Sequence, residues 1–216
     1  MALTLYAGSG SPFVWRVWLA LEHKQLNYRL QMLSFAAGDL KKPEFLALNP
    51  RGKVPVLVDD DFVLYESAAI VEYLDDAYRE HTVLGQDPRS RARTRRLIAE
   101  IDHYFDSALE AVGDQIAWNE DPTDEGRLDA AMTQIGAELR RFEAEIGEQP
   151  WFGGETPSAA DYALYSALAY LLRICTKKRP DLGLERRIGP RLSAWLTRLE
   201  SLAYFDRTYP PHWREG

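Results

Sequence analysis

Residues 49–74 read NPRGKVPVLVDDDFVLYESAAIVEYL. Two apolar runs, VPVLV and FVLY, flank a DDD turn and predict a β-hairpin. Pro55 lies inside the first run, although proline has no N–H to give a ladder. It therefore belongs at a strand's first position, at an edge or in a tight turn. A cis Val54–Pro55 bond is within reach, because cis costs an X–Pro bond only about 0.5–1 kcal/mol. Such a kink would turn the N–H and C=O of Val54 outward, to pair with another extended backbone as a strand does. The plainer alternative is that Pro55 merely starts an edge strand. Beyond the second run, Ile70, Val71, Leu74 and Tyr78 recur at helical spacing, with Glu66 and Ser67 where that helix begins. A helix N-terminus suits a carboxylate, and Ser67 also reads as an ordinary N-cap. An acid beside an anion site suits a zwitterion.

Working back from this stretch, Leu3, Leu5 and Tyr6 predict a short strand that GSGSP breaks. Val14, Val17, Trp18 and Leu21 then predict a helix ending near Lys24, with Ser11 at N-cap and Pro12 at N1. Tyr28, Leu30 and Met32 alternate as a second strand. Residues 34–48 read as a loop with a short helix. The order β-α-β-α-β-β-α predicts an α/β domain over 1–80, a mixed sheet with helices packed on it. HTVLGQDP, residues 81–88, is the expected linker. From 89 to 216 strand signals vanish and an all-α domain is expected. Leu97, Ile101, Phe105, Leu109 and Val112 predict one long helix, and Leu128, Met132, Ile135, Leu139 and Phe142 another. Ser158 and Asp161 form a capping-box pattern ahead of an apolar helix from Ala159 to about Ile174. Leu192, Trp195, Leu196 and Leu199 predict a last one.

Composition narrows the function. The chain has 216 residues, 46% hydrophobic and 27% charged, as in a globular protein. Its net charge of -7 opposes nucleic acid as a partner. The basic run RSRARTRR at 89–96 then reads as a solvated helix face, with a subunit interface or a bound carboxylate as its other uses. The N-terminus lacks a signal-peptide pattern. The longest uncharged apolar stretch, 162–172, is far below the roughly 20 residues that span a bilayer. No membrane association and a cytoplasmic location are expected. One cysteine, Cys175, excludes a disulfide framework and reads as a small core hydrophobe. His23, His81, His103 and His212 have no ligand spacing, so no metal is expected.

SPFVWRVWLALEHKQLNY at 11–28, the hairpin–helix stretch at 49–74 and the Ser158–Asp161 cap together resemble the cytosolic glutathione transferases, serine type. The resemblance covers essentially the whole chain. It implies a thioredoxin-like N-terminal domain followed by an all-helical one, glutathione as co-substrate, a small apolar electrophile and a homodimer. It further implies that Ser67 holds the γ-glutamyl carboxylate of glutathione and Glu66 its ammonium. Val54, before Pro55, would pair with the cysteinyl backbone, and Lys53 and Lys41 would reach a terminal carboxylate.

Such an enzyme must lower the pKa of a thiol that ordinarily titrates near 8.5. Helix N-termini and hydrogen-bond donors do this. Ser11, in the S-P-F-x-x-R-V context, is the expected thiol activator, with a bare N-cap as its alternative. Tyr6 is the rival hydroxyl donor and Ser9 a more distant one. Arg16, one turn into the helix, fits a structural role or a bias on the thiolate, and the sequence assigns neither. Positions 1–174 hold no cysteine, so disulfide exchange at that helix start is excluded. Phe13, Tyr104, Trp118 and Leu172 are the expected walls of the electrophile pocket. Two other functions stay open: a glutathione-dependent isomerase of the maleylacetoacetate type, whose S-S-C is replaced here by G-S-P-F, and a non-catalytic binding protein that kept the fold.

Overall fold

A computed structural model describes residues 3–118 and 121–214. Strands β1 (Leu3–Gly8), β2 (Tyr28–Leu33), β3 (Val56–Asp59) and β4 (Phe62–Tyr65) form one sheet in the order β2-β1-β3-β4. β1 pairs parallel with β2 and antiparallel with β3, and β3 pairs antiparallel with β4. Helix α1 (Pro12–His23) supplies the crossover between β1 and β2, as a parallel pair requires. A turn at Asp39–Lys41 and the short helix α2 (Pro43–Leu46) lead to β3. In the hairpin Asp59 pairs with Phe62, so two residues make the turn. Asp60 takes φ 52°, a left-handed conformation that Asp tolerates in such turns. Helix α3 (Ser67–Ala77) closes this half.

The rest is helical among the described residues. Helix α4 (Pro88–Glu100) is capped by Asp87 and runs through a π turn, Ile101–Phe105, into α5 (Asp106–Gly113). A second π turn, Asp114–Trp118, follows. The sequence pattern predicts a single regular helix here; the π turns interrupt it. Then come α6 (Glu125–Ile146), α7 (Ala159–Lys178), α8 (Pro190–Glu200) and α9 (Phe205–Thr208). α7 runs one turn beyond its predicted end.

In helix α1 every residue from Val14 to Leu21 is buried. It packs on α3 in its own half and on α7 in the helical half, so it has no solvent face. Trp15 reaches across to donate to the Thr208 hydroxyl at 3.0 Å. His23 meets the hydroxyls of Tyr162 and Tyr204, and burial pushes its pKa down to about 4.

Polar contacts join the halves around 75–91. Lys24 and Asp75, both with fully buried side chains, form an ion pair at 3.3 Å. Lys24 also donates to the carbonyls of Glu80 and His81. Asp75 accepts from Val83 N–H, Thr82 and Arg91. Three arginines of the basic run are paired in the same way: Arg91 with Asp75 and Asp76, Arg95 with Glu72, and Arg96 with Glu100 and Glu145. The capping box of α7 is formed. Asp161, wholly buried, accepts from the N–H groups of Phe152, Gly153 and Ser158, the Ser158 hydroxyl and Trp195.

Candidate functional site

The hairpin stretch forms one wall of a cleft of about 320 Å³. The Val54–Pro55 bond is cis, and β3 begins only at Val56, so Val54 stands outside the ladder. Asn49, itself buried, fixes the approach: its side chain donates to the Lys53 carbonyl at 2.7 Å and accepts from Arg51 N–H at 3.0 Å. Gly52, at φ 60°, completes that turn. Lys53, Val54 and Pro55 line the cleft, and Arg51 joins them.

Opposite lies the start of α3. Glu66 takes φ 72° and ψ 112°, a conformation that a non-glycine residue rarely holds. Such backbone strain, about 1–3 kcal/mol, concentrates at ligand sites. Ser67 is the first helical residue and not the N-cap, and no side chain caps the helix. Its first-turn N–H groups therefore remain for a ligand. Glu66, Ser67 and Asp102 all line the cleft. It thus offers cations at one end (Arg51, Lys53) and, at another, an uncapped helix start with two carboxylates. That is the complement of an extended peptide with a charged amino-acid head.

A second cleft, about 520 Å³, meets the first at Phe13, which lines both. Ser9, Gly10 and Ser11 form its floor, with Phe35, Trp118, Tyr170 and Trp213 as aromatic walls and Asp106, Glu110 and His212 as polar ones. Ser11 is the N-cap of α1, and its Oγ accepts from Val14 N–H over a long 3.4 Å. A hydroxyl has one donor and two acceptor lone pairs, so the Ser11 O–H can still donate into the cleft. Ser9 Oγ is bonded to His212 Nδ1 at 2.5 Å.

Arg16 stands behind both clefts. Its guanidinium, buried, pairs with Asp102 at 2.6 Å and Asp106 at 3.3 Å and lies 4.9 Å from the centre of the Phe13 ring. Burial pushes the Asp106 carboxyl up to about 7 against the pull of Arg16, helped by the nearby carboxylates of Asp102 and Glu110.

Of the expected site residues, the structure gathers Lys53, Val54, Pro55, Glu66 and Ser67 in the small cleft, and Ser11, Phe13 and Trp118 in the large one. Lys41 is exposed on the turn before α2 and does not line the small cleft. Tyr6 faces a different cavity, with Phe45 at 6.2 Å between ring centres. Tyr104 is 55% exposed and lines neither cleft. Asp106, Leu109 and Glu110 share one helical face toward the large cleft, and Tyr104 lies off it. Leu172 is also absent from the walls, and Tyr170, two positions earlier on α7, stands there instead. Sequence reasoning missed Arg51, Asp102, Asp106, Phe35 and the turn Pro211–Trp213. Only Gly10 hinted at that turn: its φ is 83°, and a Cβ there would meet His212 at 2.6 Å.

A thioredoxin-like sheet with a cis-proline hairpin, a peptide-shaped cleft and an adjoining aromatic cleft defines a glutathione-binding class of protein. Residues 10–77 match the family model "Glutathione S-transferase, N-terminal domain", and residues 125–198 match "Glutathione S-transferase, C-terminal domain". The chain is 28% identical to glutathione S-transferase A of Pleuronectes platessa, over 99% of this chain and 94% of that protein. It is 32% identical to maleylacetoacetate isomerase of Pseudomonas aeruginosa, over 96% and 92% of the two. Among solved structures, a glutathione S-transferase from the clam Laternula elliptica superposes with a TM-score of 0.84 at 26% identity, over 100% of this chain and 95% of that one. The chain belongs to the glutathione S-transferase family.

Proposed function

We propose that this glutathione transferase holds glutathione in the small cleft and transfers its thiolate to an electrophile in the large one. Val54 binds the cysteinyl backbone, and Glu66 with the start of α3 binds the γ-glutamyl head. Lys53 and Arg51 receive the terminal carboxylate, with Lys41 as an outer contact. Ser11 donates its O–H to the thiolate. The thiolate sulfur bonds to the electrophilic carbon, and the leaving group departs into the cleft. The observation that carries this reading is the shared wall at Phe13: Ser11 lies where a peptide in the small cleft opens onto the aromatic one. The test is retention of the chain on immobilised glutathione, and conjugation of a panel of electrophiles, beside a Glu66→Ala control. Retention lost with Glu66→Ala, and turnover of at least one electrophile by the unsubstituted chain, are expected. No retention of the unsubstituted chain would overturn the site.

The isomerase alternative draws on the Pseudomonas aeruginosa relative. Among the described residues, no lysine or arginine lines the large cleft to receive a dicarboxylic substrate, which favours conjugation. A cytoplasmic homodimer belongs to the same proposal. No helix among the described residues is long and apolar enough to cross a membrane. Phe62 and Val63 are exposed on the edge strand β4, 46% and 37% respectively, as an interface would leave them in one copy. Sedimentation velocity tests this: a monomer at micromolar concentration contradicts it.

A further inference from the structure

Two acidic side chains, Asp106 and Glu110, line the large cleft beside the hydroxyls of Ser9 and Ser11 and the imidazole of His212, and no lysine or arginine among the described residues does. Asp106 is 7% exposed, and only its Oδ2 is engaged, by Arg16; no hydrogen bond to its Oδ1 is formed among the described residues. Glu110, one turn on, also lines the cleft. The nearby cations are committed elsewhere. Arg16 is buried against Asp102 and Asp106. Arg173 stacks at 4.9 Å on Trp213 and does not line the cleft. His212 is bonded to Ser9.

A purely apolar molecule in this cleft would cover the exposed Glu110 and leave the second oxygen of Asp106 without a partner, a cost of about 1–3 kcal/mol for a polar group left unpaired. An anionic molecule adds repulsion. The thiolate of bound glutathione would sharpen that repulsion further. A cation would give those carboxyl groups a partner, and Trp118, 46% exposed, lines the same cleft with its indole ring.

We propose that the large cleft selects aromatic electrophiles carrying a cationic group, such as a substituted ammonium, and rejects anionic ones, with Asp106 and Glu110 as the selecting residues. This rests on the glutathione-transferase reading above and narrows its electrophile.

The test uses ligands that span both clefts without reacting: glutathione S-conjugates of benzyl groups bearing para-trimethylammonium, its neutral isostere para-tert-butyl, or para-carboxylate. Binding is measured by calorimetry, with glutathione itself alongside. The trimethylammonium conjugate is expected to bind about tenfold tighter than the tert-butyl one, and the carboxylate conjugate weakest. Glu110→Gln and Asp106→Asn are each expected to shrink the cation-to-isostere ratio by roughly threefold, on the scale of one exposed ion pair. Glu110 is on the surface, so its variant tests the idea even where Asp106→Asn misfolds. Equal binding of cation and isostere, tightest binding of the carboxylate, or a ratio unmoved by Glu110→Gln overturns the selectivity while leaving the glutathione site standing. Failure of glutathione itself to bind overturns both.

Discussion

Ser11→Ala separates two roles that one hydroxyl combines. As N-cap its Oγ accepts from Val14 N–H at 3.4 Å. That bond is long, so its loss costs toward the low end of the usual 0.5–2 kcal/mol, about 0.5 kcal/mol. As a donor to a thiolate the hydroxyl makes a bond to a charged group, worth about 1.5–3 kcal/mol. At 1.36 kcal/mol per unit, removing it should raise the bound thiol by about 1–2 units. Ultraviolet titration of the thiolate in the glutathione complex reads this directly. The rate of conjugation below neutral pH should fall roughly 10- to 100-fold, recovering at high pH where the thiol ionises unaided. Ser11→Asp sharpens the test, because aspartate caps a helix as well as serine does. It should retain the stability that Ser11→Ala loses, yet raise the thiol further, since a carboxylate repels a thiolate. If Ser11→Ala leaves the bound thiol where it was, or Ser11→Asp keeps full rate, Ser11 is only a cap. If Tyr6→Phe raises it instead, the hydroxyl comes from β1.

Three other outcomes follow from the geometry. Glu66→Gly relieves a positive φ and should raise the melting temperature of the free protein, by about 1 kcal/mol of stability, while weakening glutathione at least tenfold in calorimetry. Asp161→Ala strands the donors that converge on a buried carboxyl and should cost at least about 3 kcal/mol in denaturant titration; a loss below 1 kcal/mol contradicts that role. Asp106 titrates near 7 when folded and near 3.9 unfolded, so its contribution is full below about pH 4 and fades as pH rises through 7. Asp106→Asn should therefore flatten the fall in stability between those values, as denaturation at several pH values will show.

The small cleft was legible because its parts are local. Val54, Pro55, Glu66 and Ser67 lie within fourteen residues of one another, and two of them stand out locally: Pro55 inside a strand run and Glu66 at a helix start that suits an anion. The offending backbone is itself the site, so an oddity in sequence maps onto an oddity in space. The large cleft has no such signature. Its walls come from α1, α5, the second π turn, α7 and the C-terminal turn, and their aromatics repeat at helical spacing as core residues do. Tyr104 and Trp118 looked alike in sequence. A π turn adds a residue to the helix without leaving a proline or glycine to mark it, so nothing in the pattern told which of the two would turn inward.

Arg16 shows the limit from the other side. In sequence it is one charge on a helix with an apolar stripe, open to a structural role or a bias on the thiolate and assigned to neither. It is 2% exposed, because α1 is covered by the sheet half on one side and by α7 on the other. A buried guanidinium needs carboxylates, and here it takes one from each cleft: Asp102, which lines the small one, and Asp106, which lines the large one. Both acids sit four residues apart across the first π turn. The charge that looked least assignable in sequence therefore holds an acid in place in each of the two clefts.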